Sequence, residues 1–359
     1  MRILHLYRPR LPGTRAQSIQ VLHACHALAR LGHEVTLLAD RDEQNKADPL
    51  VAMGLEPLPG LDLRLSPTSY APAAGWWFRA QVLSWWAGAP GVVLARDKRR
   101  LRWLLRVTAG SRRHRLVLEA HELDSAIARE AGEDPQRALR LESWVLSRVD
   151  GLITNCGGTM ALWEQAWGEA LPKIRVVAHN AVSPERRRGP RNPEALVRCV
   201  GSLRAYKGIE GLARAAAALP IPLELVGGTE EERRALVDLP PNVRLRAAVP
   251  YPEVPDLLAR SAVLLLPLAD NLFGRSLTSP LKLWDYLATS VPIVAPDLPS
   301  IREIQALTGV PLHTYDPAHP EGLPHAVALA LSAAPRGPYV RTWLERARET
   351  LPVLLGPAG

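Results

Sequence analysis

The sequence predicts two doubly wound α/β units in one chain. Three observations carry this. At the N-terminus a short apolar strand, a glycine-containing loop, a helix and a second strand follow one another, which is a βαβ unit and implies a parallel sheet. The same plan restarts after residue 190, alike in architecture but not in sequence. The length of 359 residues fits two domains at a soft prior of roughly 150 residues each.

Residues 3–7 form the opening strand. A turn-rich loop over 9–13 leads into a helix over 16–31, with apolar positions at Ile19, Leu22, Ala27 and Leu31. Gly32 ends it, because glycine accepts the left-handed conformation that closes many helices. Residues 33–38 are the next strand. Further strands are read at 91–95, 116–119 and 151–154, with helical stretches between them. The second series opens with a strand at 196–200, a loop at 201–208 and a helix through Leu219. Strands follow at 223–226, 243–245, 262–266 and 293–295. The domains expected from this order are 1–182 and 194–337. Between them, 183–193 holds three consecutive arginines and three prolines and reads as a stiffened polar linker. Residues 338–359 close the chain as a helix. Ligands of such sheets bind at the carboxyl ends of the strands.

Apolar residues make up 47% and charged residues 22% of the chain, so it is neither disordered nor fibrous. No apolar run reaches the ~20 residues that span a bilayer. The apolar stretch before Arg8 is too short for a signal peptide. Cys25, Cys156 and Cys199 are odd in number and far apart, so they form neither a disulfide framework nor a zinc pattern. A reduced, cytoplasmic location is expected. The net charge of +8 raises nucleic acid as a partner. The basic residues carry no recognised nucleic-acid motif and no interleaved stacking aromatics, so the expectation is against it.

Residues 276–304 carry the most chemistry. Ser279-Pro280 reads as a helix start, with Ser as N-cap and Pro in the first turn. Leu281, Leu283, Trp284 and Leu287 mark the buried side of that helix. Lys282 and Asp285, three apart, share a face. The helix stops near Thr289-Ser290, residues 291–295 are a buried strand, and 297–300 cap a helix beginning near Ile301. Free N–H groups at the first helix start, with the hydroxyls of Ser276, Thr278 and Ser279, make a candidate anion site.

This stretch resembles the donor-binding signature of the retaining glycosyltransferases of family 4, and in particular a subset with a Ser-Pro-Leu-Lys loop. The resemblance implies the GT-B fold, two Rossmann-like domains facing across a cleft, with the last helix crossing back onto the N-terminal domain. It implies a nucleotide-sugar donor held mainly by the C-terminal domain. The family motif is Glu-x7-Glu. Its second acid, which binds the ribose hydroxyls, falls on Asp285. Its first acid, which contacts the donor sugar, falls on Leu277, so the motif is broken there and donor identity is left open.

A second match is the run from Val200 to Ile209, VGSLRAYKGI. The family places a basic pair in this loop to bind the diphosphate, which implies that role for Lys207. The usual Arg after the first glycine is Ser202, so Arg204 is the candidate partner. The N-terminal half matches more loosely. Gly13 falls in the loop where the family brings backbone N–H groups near the diphosphate. His121 lies just past a strand, where the family has a His facing the donor sugar and acceptor. His179-Asn180-Ala181-Val182 resembles the segment that closes the N-terminal domain.

The function implied is sugar transfer from a nucleotide-activated donor to an acceptor hydroxyl with retention, with His121, Lys207 and Arg204 as catalytic residues. Gly13, Ser276, Thr278, Ser279, Lys282 and Asp285 are the donor-binding set. The alternatives are an inactive family member or a basic nucleic-acid-binding protein. No cofactor and no metal are expected. There is no Asp-x-Asp, and His23, Cys25 and His26 do not share a ligating face. The acceptor expected is a glycan, a lipid-linked sugar or a small molecule. Residues 75–89, GWWFRAQVLSWWAGA, precede a run of basic residues from Lys98 to Arg115. Tryptophan and arginine in this pattern suit peripheral contact with the inner membrane face. A helix buried in the N-terminal core, with solvated arginines beside it, is the other reading.

Overall fold

The computed structural model describes the chain except residues 14, 43–44, 69–70, 190–191, 205–206, 335 and 357–359. It divides into two compact units. Unit 1 is residues 1–179 with 343–359, and unit 2 is residues 180–342.

Among the described residues, unit 1 holds an eight-stranded parallel sheet. Its strands are Arg2–Leu6 (β1), Arg10–Leu11 (β2), Glu34–Arg41 (β3), Leu61–Leu65 (β4), Val92–Ala95 (β5), Arg115–Ala120 (β6), Gly151–Thr154 (β7) and Arg175–Val177 (β8). The order is β3-β1-β5-β6-β7-β8, with β2 and β4 both pairing with β3. Strand order therefore reverses between β1 and β5. The central strands are short and apolar because both faces are covered. On one face Leu4, Leu6, Val93, Leu118 and Leu152 meet Phe78, Val82, Trp85, Leu104, Val145 and Trp163 from the helices. The helix Trp343–Leu355 packs on β6, β7 and β8 and against the helix Ala16–Arg30.

Among the described residues, unit 2 holds a six-stranded parallel sheet of Glu194–Val200 (β9), Leu223–Val226 (β10), Val243–Arg246 (β11), Ser261–Leu265 (β12), Ile293–Pro296 (β13) and His313–Tyr315 (β14). The order β11-β10-β9-β12-β13-β14 is the Rossmann order, with its switch point between β9 and β12. The helix Leu281–Leu287 buries Leu283, Trp284, Tyr286 and Leu287 against this sheet. Tyr286 Oη accepts the N–H of Val200 at 3.0 Å and reaches the carbonyl of Leu265 at 3.4 Å. That side chain ties the helix to both strands of the switch point.

Four strands escape the sequence reading. β2 has two residues, β8 and β14 have three, and β4 alternates half-buried and exposed positions at the sheet margin. None has the apolar run that marks a central parallel strand. The helix expected through Leu219 is Ile209–Ala215, followed by a 3-10 turn at Ala216–Ala218.

Residues 183–193, read as a linker, lie in unit 2 as far as they are described; Pro190 and Arg191 are outside the described residues. Two of the three arginines that made the segment look solvated are anchored, while Arg187 is exposed. Arg186 is buried, and Arg188 Nε donates to Asp256 at 2.8 Å. The closing helix begins at Trp343, not 338. Residues 339–342 stay in unit 2, where Tyr339 N–H donates to Leu287 O at 2.7 Å and Arg341 O accepts from Val182 N–H at 2.9 Å.

Candidate active site

β9 is followed by Gly201, whose φ of 124° is open to glycine and strained for other residues. A Cβ there would stand 2.5 Å from Cε of Lys282. Glycine thus lets the lysine stem lie against the strand end. Lys282 Nζ comes 3.9 Å from the Sγ of Cys199, a buried thiol that burial pushes up and keeps neutral. From the loop after β9, Lys207 Nζ donates to Ser202 Oγ at 2.6 Å. Burial and the repulsion of Lys282 bring Lys207 down to about 7. Two lysines from different segments therefore share one place at the carboxyl end of β9.

Arg204, read from sequence as the partner of Lys207, acts on Lys207 and also meets Glu232. It is 44% exposed, and its Nε lies 3.4 Å from Glu232 Oε1. Lys282 acts on Lys207 more strongly than Arg204 does. Ala205 and Tyr206 in the same loop are outside the described residues.

The loop before the helix Leu281–Leu287 differs from its sequence reading. Pro280 is the N-cap and the helix has seven residues. Ser279 does not cap it. Its Oγ accepts the N–H of Asn180 at 3.0 Å and the Nε1–H of Trp284 at 2.9 Å. Asn180 Nδ2 in turn donates to Ser279 O at 2.6 Å. The hydroxyl is used to shape the loop. Thr278 and Leu277 are buried, and Ser276 is half-buried at the end of the helix Leu272–Ser276. The next helix starts at Pro299 with Leu298 as its cap, while Asp297 accepts from Arg302 at 2.7 Å.

Asp285 is not a solvated acid. Arg186 Nε donates to its Oδ1 at 2.5 Å, and the two side chains are 6% and 15% exposed in the order Arg186, Asp285. The guanidinium lies 4.1 Å over the ring of Tyr251 and donates from Nη1 to Tyr251 O at 3.2 Å. Burial lifts the Asp285 carboxyl above its ordinary value against the pull of Arg186.

In unit 1 the carboxyl ends of β1, β5 and β6 gather His5, Arg96, Glu119 and His121. Glu119 is 1% exposed. Its Oε1 accepts from Arg346 at 2.6 Å, Gln20 at 2.9 Å and His121 Nε2 at 3.1 Å, and its Oε2 lies 3.4 Å from His5. Burial alone would raise this carboxyl; Arg346 and the two imidazoles outweigh it and hold it well below the ordinary range. Burial and nearby Arg96 bring His121 down to about 4. His121 is therefore neutral at pH 7. A carboxylate only accepts, so Nε2 carries the proton and Nδ1 is left as an acceptor. Arg96 donates to Gln20 Oε1. Gly13 turns the chain after β2 so tightly that a Cβ would sit 2.6 Å from Arg10 O.

Among the described residues no group of three His, Cys, Asp or Glu side chains gathers to hold a metal ion. His23 stacks on Trp343 at 5.7 Å, His26 bonds Glu56 O at 2.9 Å, and the buried Cys25 thiol is pushed up by burial.

Two family profiles match the chain in succession. Residues 16–180 match "Glycosyl transferase 4-like domain" and residues 194–332 match "Glycosyl transferases group 1". The chain belongs to the GT-B glycosyltransferases. Solved structures agree on the fold. Sucrose-phosphate synthase from Thermosynechococcus elongatus is 17% identical with a TM-score of 0.67, over 98% of this chain and 94% of that one. WaaG, a glycosyltransferase involved in lipopolysaccharide biosynthesis, is 14% identical with a TM-score of 0.63, over 98% and 95%. A trehalose-phosphate synthase from Burkholderia xenovorans is 12% identical with a TM-score of 0.60, over 98% and 95%. No curated protein sequence matches significantly.

For this GT-B glycosyltransferase, two features of the site escaped the sequence reading. Arg186 on Asp285 joins residues 99 positions apart. Arg346 on Glu119 joins residues 227 apart. No local pattern announces either pairing. The available signal was an apolar strand, β6, interrupted by one acid.

Proposed function

We propose that this glycosyltransferase moves a sugar from a nucleotide-activated donor to an acceptor hydroxyl with retention of anomeric configuration, as family 4 enzymes do. The observation that carries the reading is the Lys207–Lys282 pair. Two cations held close enough for one to depress the other favour an anion beside them, and a diphosphate supplies one. Asp285 takes the ribose, and Ser276 and Thr278 are further donor contacts. In front-face attack the bond from the anomeric carbon to the leaving phosphate oxygen breaks while the acceptor oxygen bonds the same face. The phosphate oxygen takes the acceptor's proton, so no protein nucleophile is required. Negative charge grows on that phosphate, and the preorganised lysines stabilise it most in the transition state. They supply this charge without a metal or cofactor. His121, neutral, offers Nδ1 to a sugar hydroxyl.

The acceptor belongs to a glycan or lipid-linked class, and the work is cytoplasmic, at the inner membrane face. The helix Ala71–Ala87 supports this. Phe78, Val82, Trp85 and Trp86 bury one side, but Trp76 is 70% exposed on the other. Arg79 lies 5.6 Å over both Trp76 and Trp103, and Arg99, Arg106, Arg112 and Arg113 are exposed. No helix among the described residues is long and apolar enough to cross a membrane.

The test of the function is release of nucleoside diphosphate from UDP- and GDP-sugars. Release that requires an added glycan or glycolipid acceptor, with the product anomer matching the donor by NMR, supports the reading. An inverted anomer removes retention.

A further inference from the structure

Arg186 and Asp285 form an incomplete fork. A guanidinium meets a carboxylate best with two parallel N–H groups on two oxygens. Here Nε takes Oδ1, Nη1 turns to Tyr251 O, and Nη2 is buried without a hydrogen-bond partner. Asp285 Oδ2 carries no hydrogen bond from the described residues and is not sealed off, since the side chain keeps 15% exposure. The pair thus presents one open acceptor, Oδ2, while the N–H group that lacks an acceptor is enclosed. A sugar hydroxyl is a donor and an acceptor in one group. A hydroxyl of a vicinal diol can donate to that oxygen, and the arginine fixes where the oxygen stands.

The surroundings hold the arginine rather than the acid. Tyr251 lies under the guanidinium plane at 4.1 Å and its carbonyl takes Nη1. Arg186 enters from a 3-10 turn, Pro184–Arg186, a few residues after Asn180, which fastens the loop leading to the helix of Asp285. Tyr251, from outside that helix, thus holds Arg186 where it meets the acid.

We propose that Arg186 is a positioning residue of the donor site: it holds Asp285 by Oδ1 so that Oδ2 is turned to the ribose diol of the nucleotide. The inference rests on the nucleotide-sugar reading above. It assigns discrimination of ribose from deoxyribose to a two-residue device, not to Asp285 alone.

The experiment is calorimetric titration of UDP, GDP and their 2′-deoxy counterparts into the parent, Arg186→Gln and Arg186→Lys. The parent should prefer the ribonucleotide about tenfold, the scale of one hydrogen bond to a charged group. Arg186→Gln should reduce that preference to within about twofold, and Arg186→Lys, which keeps the buried charge and guards against misfolding, should lose most of it. A purely structural role would weaken both nucleotides alike and leave the ratio unchanged; an unchanged ratio in both variants overturns the inference while the donor site stands. No binding of either ribonucleotide to the parent overturns the donor site and the inference together.

Discussion

Nε of Arg186 donates to Oδ1 of Asp285 at 2.5 Å, and both side chains are largely removed from water. Removing one partner of a buried ion pair leaves an unpaired buried charge, at a cost of about 3–5 kcal/mol. Asp285→Asn is expected near the lower end, because the acid keeps some exposure. Urea denaturation measures it. A loss under ~0.5 kcal/mol, the scale of a surface substitution, would mean that solvent compensates Arg186.

Lys207 gives the site a pH dependence. Its free-state value near 7 means that it is charged below and neutral above. A bound diphosphate favours the charged form, so affinity for nucleoside diphosphate falls as pH rises from 7 to 8.5, approaching tenfold per unit. The apoprotein behaves oppositely. Above pH 7 the unfolded lysine still binds its proton and the folded one does not, so stability rises with pH until the unfolded lysine titrates near 10.4. Lys207→Met should flatten both profiles. A parent affinity constant between pH 6.5 and 8.5 would contradict the lysine pair.

Glu119 and Arg346 lock the last helix into unit 1. Arg346→Met should destabilise the protein by about 3–5 kcal/mol, and adding Glu119→Gln should recover much of that by removing the orphaned charge. The depressed Glu119 carboxyl contributes stability that is present above its unfolded value of about 4.3 and lost as pH falls toward the folded one. Acid denaturation of the double variant should therefore be shallower below pH 4.5. Equal acid sensitivity in parent and double variant would remove Glu119 from that role.

The central strands were legible because β1, β5, β7, β12 and β13 are apolar on both faces, as parallel strands between helices must be. β4 and β14 were not, since marginal strands need no such run. In the site, Lys207 and Lys282 lie on recognisable segments, but their meeting depends on Gly201, whose bare Cα leaves room for the lysine stem. Arg186 was read as linker because three arginines in a row look solvated. One of the three turns inward to an acid 99 residues away, and composition cannot tell which. Ser279 looked like a cap, yet its hydroxyl is engaged by Asn180 and Trp284.

Trp76 and the exposed arginines predict binding to vesicles that contain anionic lipid. Each basic side chain near such a surface contributes about 1 kcal/mol and is screened within a Debye length of about 10 Å at 0.1 M salt. Sedimentation should therefore weaken with salt and with Trp76→Ala plus Arg79→Ala. Absence of sedimentation with anionic vesicles at low salt would leave a soluble acceptor as the better account.

The central claim is that unit 2 binds the diphosphate of a nucleotide-sugar through Lys207 and Lys282, and one titration tests it most directly. UDP and GDP are titrated into the parent and into Lys207→Ala with Lys282→Ala. One nucleotide should bind the parent, and the double variant should bind it at least roughly a hundredfold more weakly, since two charge-assisted contacts are each worth about 1.5–3 kcal/mol. Equal affinity in parent and variant, or no binding of either nucleotide to the parent, would contradict the claim.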